Sequence, residues 1–119
     1  MKRVLWISRH EMTQPQRGDL ERVMGGPVCL LPWRDTVRDV AELAPVLQTA
    51  DAVAAVLPPE LLSDLLDAAD GKPVLRALAR REPTGRLRTL PDGRSEPEFA
   101  FVHDGWEQVL RIEIRTRRC

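Results

Sequence analysis

Four apolar runs, spaced by segments of helical character, constrain this chain more than any other feature. Val4 to Ile7, Val28 to Leu31, Ala52 to Leu57 and Val74 to Ala79 are near-continuous in apolar residues, the last interrupted by Arg76. Strands covered on both faces read this way, because neither face meets water. The segments between them carry helix signals. Thr13 with Gln16 matches a capping box, Pro15 is tolerated in a first turn, Leu20, Val23 and Met24 repeat at helical spacing, and Gly25-Gly26 supplies a stop. Thr36 is expected to cap a second helix with Val37, Val40, Ala41, Ala44 and Leu47 on one face, bent or shortened by Pro45. Pro58-Pro59-Glu60 opens a third, with Leu61, Leu62, Leu65 and Leu66 inward and Gly71 at its end.

This β-α-β-α-β-α-β succession, closed by right-handed crossovers, predicts an α/β fold: a Rossmann-like three-layer sandwich with a parallel sheet of about four strands. At 119 residues, one domain spanning 1–119 is expected, with a core that needs neither disulfide nor metal. The last third differs. Arg86 to Leu90 and Glu98 to His103 flank the turn signal Pro91-Asp92-Gly93, and Phe99, Phe101 and His103 alternate as in a half-buried hairpin arm. From Val109 to Thr116 the alternation of Leu110, Ile112, Ile114 and Thr116 with charged residues predicts a final amphipathic strand. An antiparallel tail of this kind extends the sheet, and an exposed edge invites a second copy, so a homodimer is expected.

Charge narrows the partners. Eighteen Lys plus Arg balance eighteen Asp plus Glu, which argues against general attraction to duplex nucleic acid or a membrane surface and makes any anion site local. Lys2 and Lys72 are the only lysines, and the arginine excess is spread along the chain, as GC-rich coding alone would produce. Cys29 in an apolar run and Cys119 at the end have neither disulfide-framework nor metal spacing. No segment approaches the roughly 20 apolar residues of a membrane span, and no secretory leader is visible. A reduced, cytoplasmic protein without metal or cofactor is the expectation.

Ligands of open parallel sheets sit beyond the carboxyl ends of the strands, where the winding reverses, here between the first and third strands. The loop after the first strand holds Ser8, Arg9 and His10, and the helix after it offers backbone N–H groups to an anion. His10 is therefore the candidate proton-transfer group, set against the plainer role of a cap or surface residue. Arg9, and Arg76 if it lies near the exit of the fourth strand, could bind phosphate, with Ser8 and Thr13 as further contacts. Arg80 and Arg81 are adjacent and point apart. His103 continues the Phe99, Phe101 alternation and reads as packing, while Trp33 and Trp106 either stack a base or fill the core.

Arg9-His10 after a first strand resembles the Arg-His-Gly opening of histidine phosphatases, with Glu11 standing in place of that glycine. A second resemblance covers more of the chain. His10-Glu11-Met12-Thr13-Gln14-Pro15-Gln16, read as H-x-(L/M)-T-x-x-Q and followed by Asp19, is similar to the opening of small CRISPR-associated ring nucleases related to the CARF domain; Pro91-Asp92-Gly93 and Phe101-Val102-His103 are similar to that group's last third. The chain also resembles uncharacterised small bacterial and phage proteins that share its Trp-Ile-Ser-Arg-His opening. The nuclease resemblance implies a dimer that binds cyclic oligoadenylate across its two-fold axis and cuts it without metal, ending a type III CRISPR signal. It implies that the ribose 2'-hydroxyl is the nucleophile, that Arg9 and helix-terminal N–H groups hold phosphate with Ser8 or Thr13 fixing the backbone, and that His10 moves the proton. A sensor that binds nucleotide without cutting, acting through a partner protein, and a purely structural role remain the alternatives.

Overall fold

The computed structural model describes residues 1–113 and 115–119. Strand β1 (Lys2–Ile7) lies between β2 (Val28–Trp33) and β3 (Ala52–Ala55), and β4 (Val74–Thr89) and β5 (Ser95–Gln108) complete a five-stranded sheet of order β2-β1-β3-β4-β5. The first four pair in parallel, Val4 with Leu30 and Ala52, and Val53 with Val74; β5 returns antiparallel to β4. This is the expected mixed α/β fold, mostly parallel with an antiparallel C-terminal pair. Pro32 is accommodated in β2 because that strand is an edge, where a missing N–H breaks no ladder.

Period-two alternation divides the core. Val4 and Trp6 gather Leu20, Val28, Ala52, Ala54 and Leu75 into one cluster under helix α1 (Gln14–Met24). Leu5 and Ile7 point the other way, into a cluster with Val40, Leu43 and Leu47 and with Leu62 and Leu65 of helix α3 (Pro59–Ala69). The capping box of α1 is complete: the Thr13 hydroxyl accepts from the Gln16 N–H at 3.2 Å, and the Gln16 side chain accepts from the Thr13 N–H at 2.9 Å. Gly25, at φ 82°, ends the helix in the left-handed conformation that glycine tolerates. Val23, expected inward, is 41% exposed, since α1 covers the sheet with a narrow stripe centred on Leu20.

Three expectations are corrected. The second helix is a 3-10 turn, Val40–Leu43, running into the short α2 (Ala44–Leu47) with Pro45 in its first turn. Asp39 caps it by accepting from the Ala41 N–H, so Thr36 is no cap, and Ala41 and Ala44 are exposed while Leu43 is buried. Next, the hairpin strands are far longer than their sequence signals, because β5 pairs with β4 continuously enough to carry it to Thr89. The radius of gyration, 17.5 Å, exceeds the roughly 13–14 Å of a compact chain this long, as a projecting arm requires. Finally, the described residues of Val109 to Thr116 form no strand, and Ile114 lies outside the described residues. The physical reason is pairing: β5 reaches Gln108 opposite Leu75, Val109 donates to the Val74 carbonyl at 2.8 Å, and β4, which begins at Val74, offers no residue beyond. Val109 and Ile112 instead pack against the core.

Among the described residues, no helix is long and apolar enough to cross a membrane. Both cysteines are free.

Candidate functional site

The strand order puts the reversal of winding between β1 and β3, as the sequence predicts. The Val56 N–H donates to the Ile7 carbonyl at 2.9 Å, tying the exits of these two strands together. Above them lies an open crevice of about 240 Å³ lined by Ile7, Ser8, Arg9, Asp35, Thr36, Val37, Val56, Leu57, Pro58 and Leu61. It therefore draws on the segments following all three of the first strands. Ligand pockets are typically about 300–1,000 Å³, so this crevice accommodates part of a large ligand.

The β1–α1 loop is held mainly through its backbone. Ser8 donates its N–H to the Trp33 carbonyl at 3.1 Å, and its hydroxyl accepts the His10 N–H at 3.1 Å. The Trp6 indole donates to the His10 carbonyl at 2.9 Å. His10 is thus fixed at both backbone ends while its exposed imidazole has no hydrogen-bond partner among the described residues. Arg9 is oriented: one guanidinium nitrogen donates to the Thr36 hydroxyl at 2.7 Å, leaving other N–H groups for an incoming acceptor. Glu11 is drawn aside to Arg34, 3.2 Å away.

Ser8 and Arg9 share the crevice; His10, expected there, follows them in the loop without lining it, and Arg76 and Thr13 stand elsewhere. Arg76 is the third residue of β4, near its start and not its exit, and it pairs with Glu107 on β5. The expected anion cradle at the start of α1 is largely closed. Thr13 and Gln16 consume each other's N–H groups and Pro15 has none, which leaves the Gln14 N–H.

A second groove, about 580 Å³, opens on the α1 side of the same sheet end, between Thr13, Pro15 and Gln16 and the strand residues Ala77, Ala79, Phe101 and His103; Val56 borders both. His103 Nε2 lies 2.9 Å from Asp19 Oδ2, and its ring packs 5.8 Å from that of Trp106. That hydrogen bond, with a second from Arg22, holds the Asp19 carboxyl below its ordinary range. The ionised carboxylate accepts from Nε2, so Nδ1 is the free nitrogen; it is buried without a partner among the described residues. Trp106 donates to the Gln16 carbonyl at 2.9 Å and meets Trp6 edge-on at 6.1 Å. Both rings serve as core and latch, whereas Trp33 packs against the α3-side cluster and its indole N–H is buried without a partner among the described residues.

The Arg9–Thr36 bond escaped sequence reading because Thr36 carries a plausible cap signal, and nothing local distinguishes a cap from a partner 27 residues away. The pairing of His103 with Asp19 spans 84 residues, although Asp19 was visible as a polar position in the motif after His10. Comparison with protein-family models yielded no match, and neither the curated proteins nor the solved structures yielded one.

Proposed function

We propose that this chain is a cytoplasmic, Rossmann-like module related to the CARF domain, which binds a cyclic oligoadenylate across a two-fold pair of chains and cuts it without metal, so ending a type III CRISPR signal. The observation that carries the reading is Arg9, a guanidinium at the mouth of the strand-switch crevice, oriented by Thr36 and with donors to spare. Phosphate is the acceptor such a group favours. Asp35 lines the same crevice, so a phosphate seats on the Arg9 side and a sugar hydroxyl suits the carboxylate.

In the cutting reaction the ribose 2'-oxygen attacks the adjacent phosphorus, the bond to the 5'-oxygen breaks, and a 2',3'-cyclic phosphate and a free 5'-hydroxyl result. The 2'-proton must leave and the 5'-oxygen must gain one; His10, exposed in the loop, performs one of these transfers. Arg9 offsets the charge that builds on the phosphate oxygens.

A second reading, sensing without cutting, is favoured by one specific observation: no group orients the His10 imidazole among the described residues. Catalytic imidazoles are usually held by a third group.

The deciding experiment incubates the purified chain with cyclic tetraadenylate and cyclic hexaadenylate, with and without chelator, measuring affinity and separating products. Chelator-resistant cleavage supports the nuclease. Tight binding with an intact ring selects the sensor, and absence of both rejects the nucleotide reading.

A further inference from the structure

Beyond the base that α1 covers, the two faces of the β4–β5 arm differ in charge. Cross-strand pairing of Arg81 with Phe101, Pro83 with Phe99 and Leu87 with Pro97 sets these side chains on one face, which Ala79 and His103 share nearer the base. None of the strand residues on that face is Asp or Glu. The acids Glu82, Glu96, Glu98 and Asp104 fall on the other face, where Arg80 bonds Glu82 and Asp104, and Arg88 bonds Glu96. Phe101 is 80% exposed and Phe99 42%. The Arg81 guanidinium lies over Phe99, 4.1 Å from the ring centre, and has no hydrogen-bond or ion-pair partner among the described residues. Its N–H donors are therefore free beside Phe101.

We propose that this face binds single-stranded nucleic acid, with a base stacked on Phe101 and the adjoining phosphate on Arg81. An exposed aromatic beside a free, planar cation is the pair of contacts that a base and its phosphate need. Phe99 and Phe101 are two residues apart on one strand, about 6.8 Å, close to one step of an extended nucleotide chain. The groove of about 580 Å³ at the base of the same face, bordered by Pro15, Gln16, Ala79 and Phe101, has room for a further base. There the Gln16 side-chain NH2, unbonded among the described residues, is a donor for a base edge. Protein is the poorer occupant. An apolar protein surface packed here would bury the Arg81 guanidinium without an acceptor, a cost that a phosphate removes. An added peptide strand is disfavoured because Pro97 leaves the edge strand β5 without an N–H at that position. Stacking reads neither base identity nor sugar, so RNA and DNA single strands bind alike, while a duplex keeps its bases stacked on one another and does not. Arg81 is the one arginine that the register places on this face, so phosphate contacts are few and the salt dependence is shallow.

Fluorescence anisotropy of the full chain with labelled pyrimidine dodecamers, one RNA and one DNA, tests the inference. These probes contain no adenine, so the crevice reading, tested with cyclic oligoadenylate, stands or fails separately. The two single strands are expected to bind within a few-fold of each other, and the same strands annealed to their complements about tenfold or more weakly. Phe101→Ala should weaken binding by about tenfold or more, the loss of one base–aromatic stack. Arg81→Ala should reduce the slope of log affinity against log salt by about 0.7, one phosphate contact. Arg88→Ala, which removes an equal charge from the opposite face, should change neither quantity. Circular dichroism checks that the variants fold. Should Phe101→Ala misfold, hydrogen exchange of the wild type decides: protection of residues 97–103 on adding the strand is expected, and unchanged protection overturns the proposal. Absence of binding, equal binding of duplex, equal effects of Arg81→Ala and Arg88→Ala, or a preference for one sugar above about tenfold overturns it. So does a second copy or another protein that covers Phe101 and excludes the strand.

Discussion

His103 Nε2 donates to Asp19 Oδ2 across 2.9 Å, joining the projecting hairpin to the first helix over 84 residues of sequence. The two groups are nine-tenths and four-fifths buried, so the bond counts for more than a surface pair. Hydrogen bonds to a charged partner contribute about 1.5–3 kcal/mol. His103→Ala and Asp19→Asn should each cost about 2 kcal/mol in urea unfolding, and the double variant should cost clearly less than their sum. Additive losses would mean that the bond is not formed in solution.

The same pair sets an acid response. The Asp19 carboxyl is held below its ordinary value of 3.8 by the hydrogen bonds from His103 and Arg22. Its folded form thus stays ionised where the unfolded chain has begun to take up the proton. The stability it contributes is fully present above the ordinary value and is lost as pH falls through the folded one. Unfolding midpoints measured on either side of that window should drop more steeply for wild type than for Asp19→Asn, and equal slopes would contradict the shift.

Removing the helix cap has a smaller and separable effect. Thr13→Ala should lower stability by about 1 kcal/mol, the usual cost of losing a side-chain cap, and Thr13→Ser should restore most of it. If thermal unfolding leaves Thr13→Ala unchanged, the capping box seen here is not contributing.

Arg9 is exposed and, among the described residues, bonds only to the Thr36 hydroxyl. Arg9→Ala should leave the melting temperature nearly unchanged while weakening cyclic oligoadenylate binding by about tenfold or more, as loss of a charge-assisted contact does. Thr36→Val should weaken it less, since the guanidinium remains but is no longer oriented. Calorimetric titration of both variants, beside Arg76→Ala as a substitution outside the crevice, distinguishes phosphate binding from mere surface charge.

For His10, the separation of rate from affinity is the informative quantity. His10→Ala should slow cleavage by about 10²- to 10⁴-fold, the contribution of a positioned acid or base, with a much smaller change in affinity. Cleavage at the wild-type rate would assign His10 to the loop alone.

Local signals were enough for the parallel half of the fold. The apolar runs named β1 to β4, and Thr13, Gln16 and Gly25 bounded α1, because strand burial, capping and left-handed stops depend on residues within a turn or two of one another. From that order alone followed the place of Ser8 and Arg9 at the sheet's switch point.

What the tertiary structure decided are matters of partnership. Thr36 had two possible partners, a helix start or Arg9, and only the folded chain brings the arginine within 2.7 Å. Val109 to Thr116 alternates like a strand, yet alternation supplies no neighbour, and β4 begins too late to pair with it. His103 and Trp106 are three apart, a spacing that puts them on opposite faces of a regular strand. Between them β5 inserts Asp104 as an extra residue, with Leu78 opposite Gly105 and Ala79 opposite His103, and Gly105 at φ 113° absorbs the bend. Both rings consequently face α1. Such a bulge exists only because two strands of unequal local length must pair, and neither strand's own pattern records the other's length.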